Sequence, residues 1–123
     1  MQLNKIIYWL STIIVCCIFL FSATMYFTKY EMVKSFFTSL GYPVYIIYPL
    51  AIAKVLGVAA ILTKKSSLLK EWAYAGFFFD AALAAAAHLD AKDGGQLLAI
   101  TAMAMLIISR IFDSRIFTPK INL

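Results

Sequence analysis

Long apolar segments separated by short polar ones dominate this chain. The runs at 6–27, 44–63, 72–89 and 96–112 are 22, 20, 18 and 17 residues long. A membrane-spanning helix needs about 20 apolar residues, with a range of about 17–25. The pattern therefore predicts four spanning helices, the last at the short limit. The connections at 64–71 and 90–95 are short, and Asp90, Asp93, Gly94 and Gly95 make the second a turn. Short links between long helices place neighbours antiparallel. The expected fold is all-α: a polytopic membrane protein with an antiparallel four-transmembrane-helix bundle, in one domain covering residues 1–123.

The longest connection, 28–43, carries Lys29, Glu31 and Lys34 beside Met32, Val33, Phe36, Phe37 and Leu40. That spacing gives one apolar helical face and predicts a short interfacial helix. Gly41, Tyr42 and Pro43 end it, and Pro43 suits the first turn of the next helix. Pro49 falls inside the second apolar run. It cannot donate to the Tyr45 carbonyl, so a bend is expected there.

Composition agrees with the pattern. Of 123 residues, 63% are hydrophobic and 14% charged. Soluble domains carry about 25% charged residues. The first apolar run is too long for the core of a signal peptide and no A-x-A-like site comes after it, so it is read as a retained helix.

The net charge of +5 is accounted for by topology. With four spans, the termini and the 64–71 connection share a side carrying Lys5, Lys64, Lys65, Lys70, Arg110, Arg115 and Lys120. The other side carries Lys29, Lys34 and Lys92. By the positive-inside rule both termini face the cytoplasm. No basic stripe is left for nucleic acid. Tyr8, Trp9, Trp72 and Tyr74 are expected at the inner interface, and Tyr26, Tyr30, Tyr42 and Tyr45 at the outer one.

Lys54 and Asp80 break the apolar runs. Lys54 stands ten positions from the nearest other charge, Lys64, and Asp80 nine from Glu71 and ten from Lys70 and Asp90, or about 13–15 Å along a helix, close to the midplane of a hydrocarbon core about 30 Å thick. A lone charge there costs at least about 2.5–3.5 kcal/mol. Intramembrane charges therefore pair, face inward and mark sites. The second and third runs are neighbours through a short link, so Lys54 and Asp80 are expected to meet, directly or through water. Ala51, Gly57 and Val58 share the lysine's face. Gly76, Ala84 and His88 recur with Asp80 every four residues, and the small members leave room for a backbone, water or a ligand. The pair is either a ligand or proton site or a clamp between two helices. His88 is either a relay or headgroup ligand on the Asp80 face, or a wet interfacial residue.

Cys16 and Cys17 are adjacent and point about 100° apart on a helix, a geometry that disfavours a bond between them. They read as small apolar residues. No spacing of metal ligands, Walker loop, nucleophile elbow or dinucleotide fingerprint is present, so no intrinsic cofactor and no metal are expected. Met103 and Met105 read as packing.

Two stretches carry a family resemblance. Residues 48–58, YPLAIAKVLGV, contain K-x-L-G, and residues 68–80, LLKEWAYAGFFFD, contain L-K-E-W-A-Y-A-G-F-x-F, with Ala87 and His88 further on. In this order and separation they resemble the DoxX-like membrane proteins, small four-helix bacterial proteins. The resemblance highlights Lys54, Gly57, Glu71, Trp72, Tyr74, Gly76, Asp80 and His88. It implies a link to quinone-coupled sulfur oxidation or membrane oxidoreductase complexes for some members, and chaperone-like or cargo-receptor roles for others.

Three functions compete, in this order. The first is an accessory or ligand-binding subunit of a quinone-linked redox system, not an autonomous enzyme. A polar headgroup, with quinone as the candidate, would sit at Lys54, Asp80 and His88, with Phe77, Phe78, Phe79 and the alanine run at 81–87 lining an apolar slot, and any redox cofactor would be borrowed. The second is an assembly factor or scaffold whose polar centre meets a partner helix or holds the bundle. The third is a small proton-coupled transporter, which four spans without a repeat disfavour for a monomer. The bilayer is the certain partner, and oligomerisation stays open.

Overall fold

The computed structural model describes residues 2–116. Five helices carry the chain: α1 Gln2–Thr28, α2 Tyr30–Leu40, α3 Ile47–Thr63, α4 Ser67–Ala91 and α5 Gln96–Ile116, with a 3₁₀ turn, Val44–Ile46, leading into α3. All regular structure among the described residues is helical. Lys120 and the rest of 117–123 lie outside them.

Three segments are long and apolar enough to cross a membrane: Gln2–Thr28, Val44–Thr63 and Gln96–Ile116. The last one is a 21-residue helix, so the run expected at the short limit lies in a helix of spanning length. The expected third run lies within α4, which has 25 residues. Length is therefore not what sets α4 apart. Asp80, His88 and the charged first turns dilute its apolar character.

α1 packs against α3 and α5, and α4 packs against the same two. Residue pairs fix the direction of each contact. Lys54 meets Asp80 while Gly57 meets Phe77, so advancing along α3 retreats along α4. Lys70 meets Asp113 while Tyr74 meets Ser109, giving the same reversal between α4 and α5. All four long helices contribute to one core of Val15, Cys16, Phe19, Val58, Ile61, Tyr74, Phe77, Ala81, Ala102 and Leu106. Met103 and Met105 pack against it, as expected. Outside it, Leu10, Phe21, Leu56, Leu83 and Ile107 are exposed, a surface suited to lipid.

The ends of the helices are set by local chemistry. Ser66 is extended, and its hydroxyl accepts a hydrogen bond from the Leu69 N–H at 3.2 Å. This cap starts α4 five residues before the apolar run and puts Lys70 and Glu71 on the helix. The predicted short helix is α2, with Val33 and Phe37 buried against Ile47. Gly41 closes it at φ +81°, where its N–H and that of Tyr42 bond back to Thr38 and Phe37.

Three expectations are corrected. Pro49 does not bend a helix interior. α3 begins at Ile47, so Pro49 occupies its first turn, where a missing N–H leaves no bond unmade. Pro43 is extended ahead of the 3₁₀ turn and is not within a helical turn. Tyr8 and Tyr74 do not face outward: at 0% and 5% exposure they belong to the core, while Trp9 and Trp72 are exposed. An aromatic belt is inferred from the amphipathic ring alone, and it misses hydroxyls that serve buried polar groups.

Candidate functional site

Lys54 is buried on the inner face of α3 with Ala51 and Val58, as its spacing implies. Its Nζ donates to Ser22 Oγ of α1 at 2.7 Å and lies 4.0 Å from the centroid of the Tyr26 ring. It is 3.7 Å from Asp80 Oδ2 of α4. The expected pair therefore forms, but at ion-pair distance, beyond a hydrogen bond. Hydroxyl and ring seal the lysine from one side, and its side chain is 6% exposed against 29% for Asp80. Among the described residues, Lys54 is the one polar contact of Asp80.

The exposed part of Asp80 faces a groove of about 670 Å³ between α3 and α4. Lys54, Gly57, Gly76, Phe77 and Trp72 are among its lining. The two glycines do different things. A Cβ at Gly76 would meet no atom within 4 Å, so Gly76 leaves the groove open. A Cβ at Gly57 would collide with the Phe77 ring at 2.6 Å. Gly57 thus lets that ring reach the core, where it stacks on Phe19 at 3.9 Å.

The structure does not bring His88 or Ala84 into this groove. Ala84 is half-buried elsewhere on α4. His88 is in the last turn of α4, where its Nδ1 meets Asp93 at 2.8 Å and its ring stacks on Phe36 of α2 at 5.1 Å. A Cβ at Gly95 would run into the imidazole. The four-residue stripe drifts around the helix, so two turns beyond Asp80 it faces α2 and the turn into α5. The Gly95 backbone N–H donates to Asp93 at 2.9 Å. That bond, and then His88, hold the Asp93 carboxyl below the usual carboxylate range.

A second polar cluster joins α1, α4 and α5. Lys70 Nζ lies 2.6 Å from Asp113 Oδ2, with side chains 5% and 0% exposed. Asp113 Oδ1 is buried with no hydrogen-bond partner among the described residues. One turn further in, the Ser109 hydroxyl shares hydrogen bonds with Tyr74 Oη at 2.7 Å and Thr12 Oγ1 at 2.6 Å. Nearer the surface, Arg110 grips Glu71 with two bonds of 2.7 and 2.8 Å. Sequence reasoning placed Lys70 in a loop and ended the last span at Phe112, so it missed the buried pair. The signal was present: 102, 106, 109 and 113 continue one buried stripe on α5, as do 70, 74, 77 and 81 on α4. Cys16 is buried and Cys17 exposed, both as free thiols.

A helical protein with membrane-spanning segments, a lysine–aspartate pair at mid-helix and an apolar groove beside it is the class that fold and site define. The chain belongs to the DoxX-like family, whose model matches residues 10–110 and so takes in the groove, both ends of the Lys54–Asp80 pair and α2. No curated protein and no solved structure matches the chain.

Proposed function

We propose that this membrane protein is a ligand-binding or accessory subunit of a membrane redox system. In this reading the groove between α3 and α4 holds a small amphipathic molecule, with quinone as the candidate, against Asp80 and Lys54. One observation carries it: the carboxylate of a mid-helix ion pair opens onto a groove that is otherwise mostly apolar. A purely structural pair gains nothing from leaving its carboxylate half-reached, because desolvation already offsets much of a buried pair's attraction. The bundle that frames the groove has α1, α3, α4 and α5 crossing the bilayer antiparallel. Both termini and the link at 64–66 face the cytoplasm of a bacterial inner membrane. Lys64 over the Tyr8 and Trp9 rings and Lys70 against Asp113 bring the 64–66 link, the start of α1 and the end of α5 to one end of the molecule, in keeping with a shared side.

The second reading is a clamp within a scaffold or assembly factor. The full set of partners around Lys54, with Ser22 and Tyr26 from α1 and Asp80 from α4, favours it, since one lysine ties three helices. Native mass spectrometry of the gently extracted protein, beside a Lys54→Met/Asp80→Leu double variant, separates the two. A small molecule carried by the wild type and lost from the folded variant supports the ligand site. Identical spectra, with the variant at least as stable, support the clamp.

A further inference from the structure

Resting on the ligand-site reading, we infer that the groove selects an amphiphile with a neutral hydroxyl head that donates a hydrogen bond to Asp80. The reason is which half of the pair the groove can reach. The donor half, Lys54, lines the groove but is almost buried, at 5% exposure: Ser22 takes one hydrogen bond and the Tyr26 ring lies against the ammonium, so a ligand head meets mainly the carboxylate. The acceptor half is open, because Asp80 is the more exposed member and its contact with Lys54 is too long for a hydrogen bond. Among the described residues no N–H or O–H donates to that carboxylate within hydrogen-bond distance. A carboxylate facing an apolar groove without a donor is costly, and an incoming donor removes that cost. A molecule whose head only accepts meets lone pairs with lone pairs.

Charge narrows the class further. The pair is already neutral, so a cationic head on Asp80 would place a second positive charge beside Lys54 in a medium that screens poorly. An anionic head would be repelled by the carboxylate itself. A neutral hydroxyl, phenolic or alcoholic, satisfies the acceptor with no net charge added. The rest of the ligand is apolar, since the groove beyond the pair runs past Gly76, Phe77 and Trp72. The open space over Gly76 is where an aromatic ring or a chain lies flat. A quinone would therefore be held in its reduced, hydroxyl-bearing form, and the oxidised form, whose ring oxygens only accept, would be released.

The test uses three probes on one alkyl-aromatic skeleton: 4-nonylphenol, 4-nonylanisole and 4-nonylbenzylamine. They are titrated into the full-length protein in nanodiscs and read by Trp72 fluorescence in a Trp9→Phe background. The expected result is saturable quenching by the phenol, with the anisole and the benzylamine at least about tenfold weaker, the loss of one hydrogen bond to a charged acceptor. In Asp80→Asn, whose carboxamide accepts and donates, the gap between phenol and anisole narrows to a few-fold. Equal binding of phenol and anisole by the wild type overturns the inference and leaves the groove as a ligand site. Tighter binding of the benzylamine overturns the neutral head. If no probe quenches and only lipid occupies the groove, the inference and the reading beneath it fall together. The wild-type comparison decides the matter even where Asp80→Asn does not fold.

Discussion

Lys70 and Asp113 are the most fully buried ion pair among the described residues. Removing one partner strands the other charge, which costs about 3–5 kcal/mol for buried pairs. Lys70→Met is expected to lose stability on that scale, and Lys70→Met/Asp113→Leu to recover most of it, by unfolding in mixed detergent–SDS micelles. Equal losses in the single and double variants would mean that the ion pair is not what the cluster depends on. Gly57 makes a second expectation at this scale. Gly57→Ala forces the Phe77 ring off Phe19 and should cost about 1–3 kcal/mol. Gly76→Ala has open space before it and should leave the fold intact while filling part of the groove. The sequence announced Lys54 and Asp80 because isolated charge in an apolar run is visible without any structure. It did not announce Lys70 and Asp113, because charge at the edge of a run reads as a loop until helical periodicity is carried past the last apolar residue.

At the scale of elements, caps and turns decide what hydropathy cannot. Apolar runs marked the helices, but Ser66, Gly41 and the 3₁₀ turn at Val44–Ile46 set their ends. Pro49 illustrates the difference: a proline six residues into an apolar run looks like a kink, yet it lies in the first turn of the helix that forms. Between α4 and α5, Asp93 links His88 to the Gly95 N–H. Its carboxyl is held below the usual range, first by the Gly95 bond and then by His88. A depressed folded value means that this link stabilises the turn above the unfolded value of about 3.9 and is lost as pH falls through the folded value. A carbon-13 titration of the Asp93 carboxyl should have its midpoint below about 3.9, and a midpoint at or above that value would contradict the link. The drift of the four-residue stripe from Asp80 to His88 separates this turn from the groove, which spacing alone did not reveal.

For the whole molecule, the prediction is topological. Reporter fusions should place both termini and the 64–66 link in the cytoplasm, and the turn at 92–95 outside. A cysteine at Gly94, introduced into a Cys16→Ala/Cys17→Ala background, should be labelled from outside intact spheroplasts, while one at Ser66 should not. The opposite labelling would invert the orientation. The all-helical, membrane-type fold was legible early because long apolar runs and short links express one constraint, the bilayer. The groove was not, since it depends on which glycine faces a ring and which faces open space.

Whether the α3–α4 groove holds a small molecule against Asp80 is best decided by photo-crosslinking in intact membranes. A benzophenone side chain is placed at Leu69 in the groove and, as control, at Ile107 on the exposed face of α5. A discrete small-molecule adduct is expected at position 69, absent from 107 and lost when Lys54→Met/Asp80→Leu is added. Phospholipid adducts alone at both positions, unchanged by the double substitution, would contradict a ligand site in the groove.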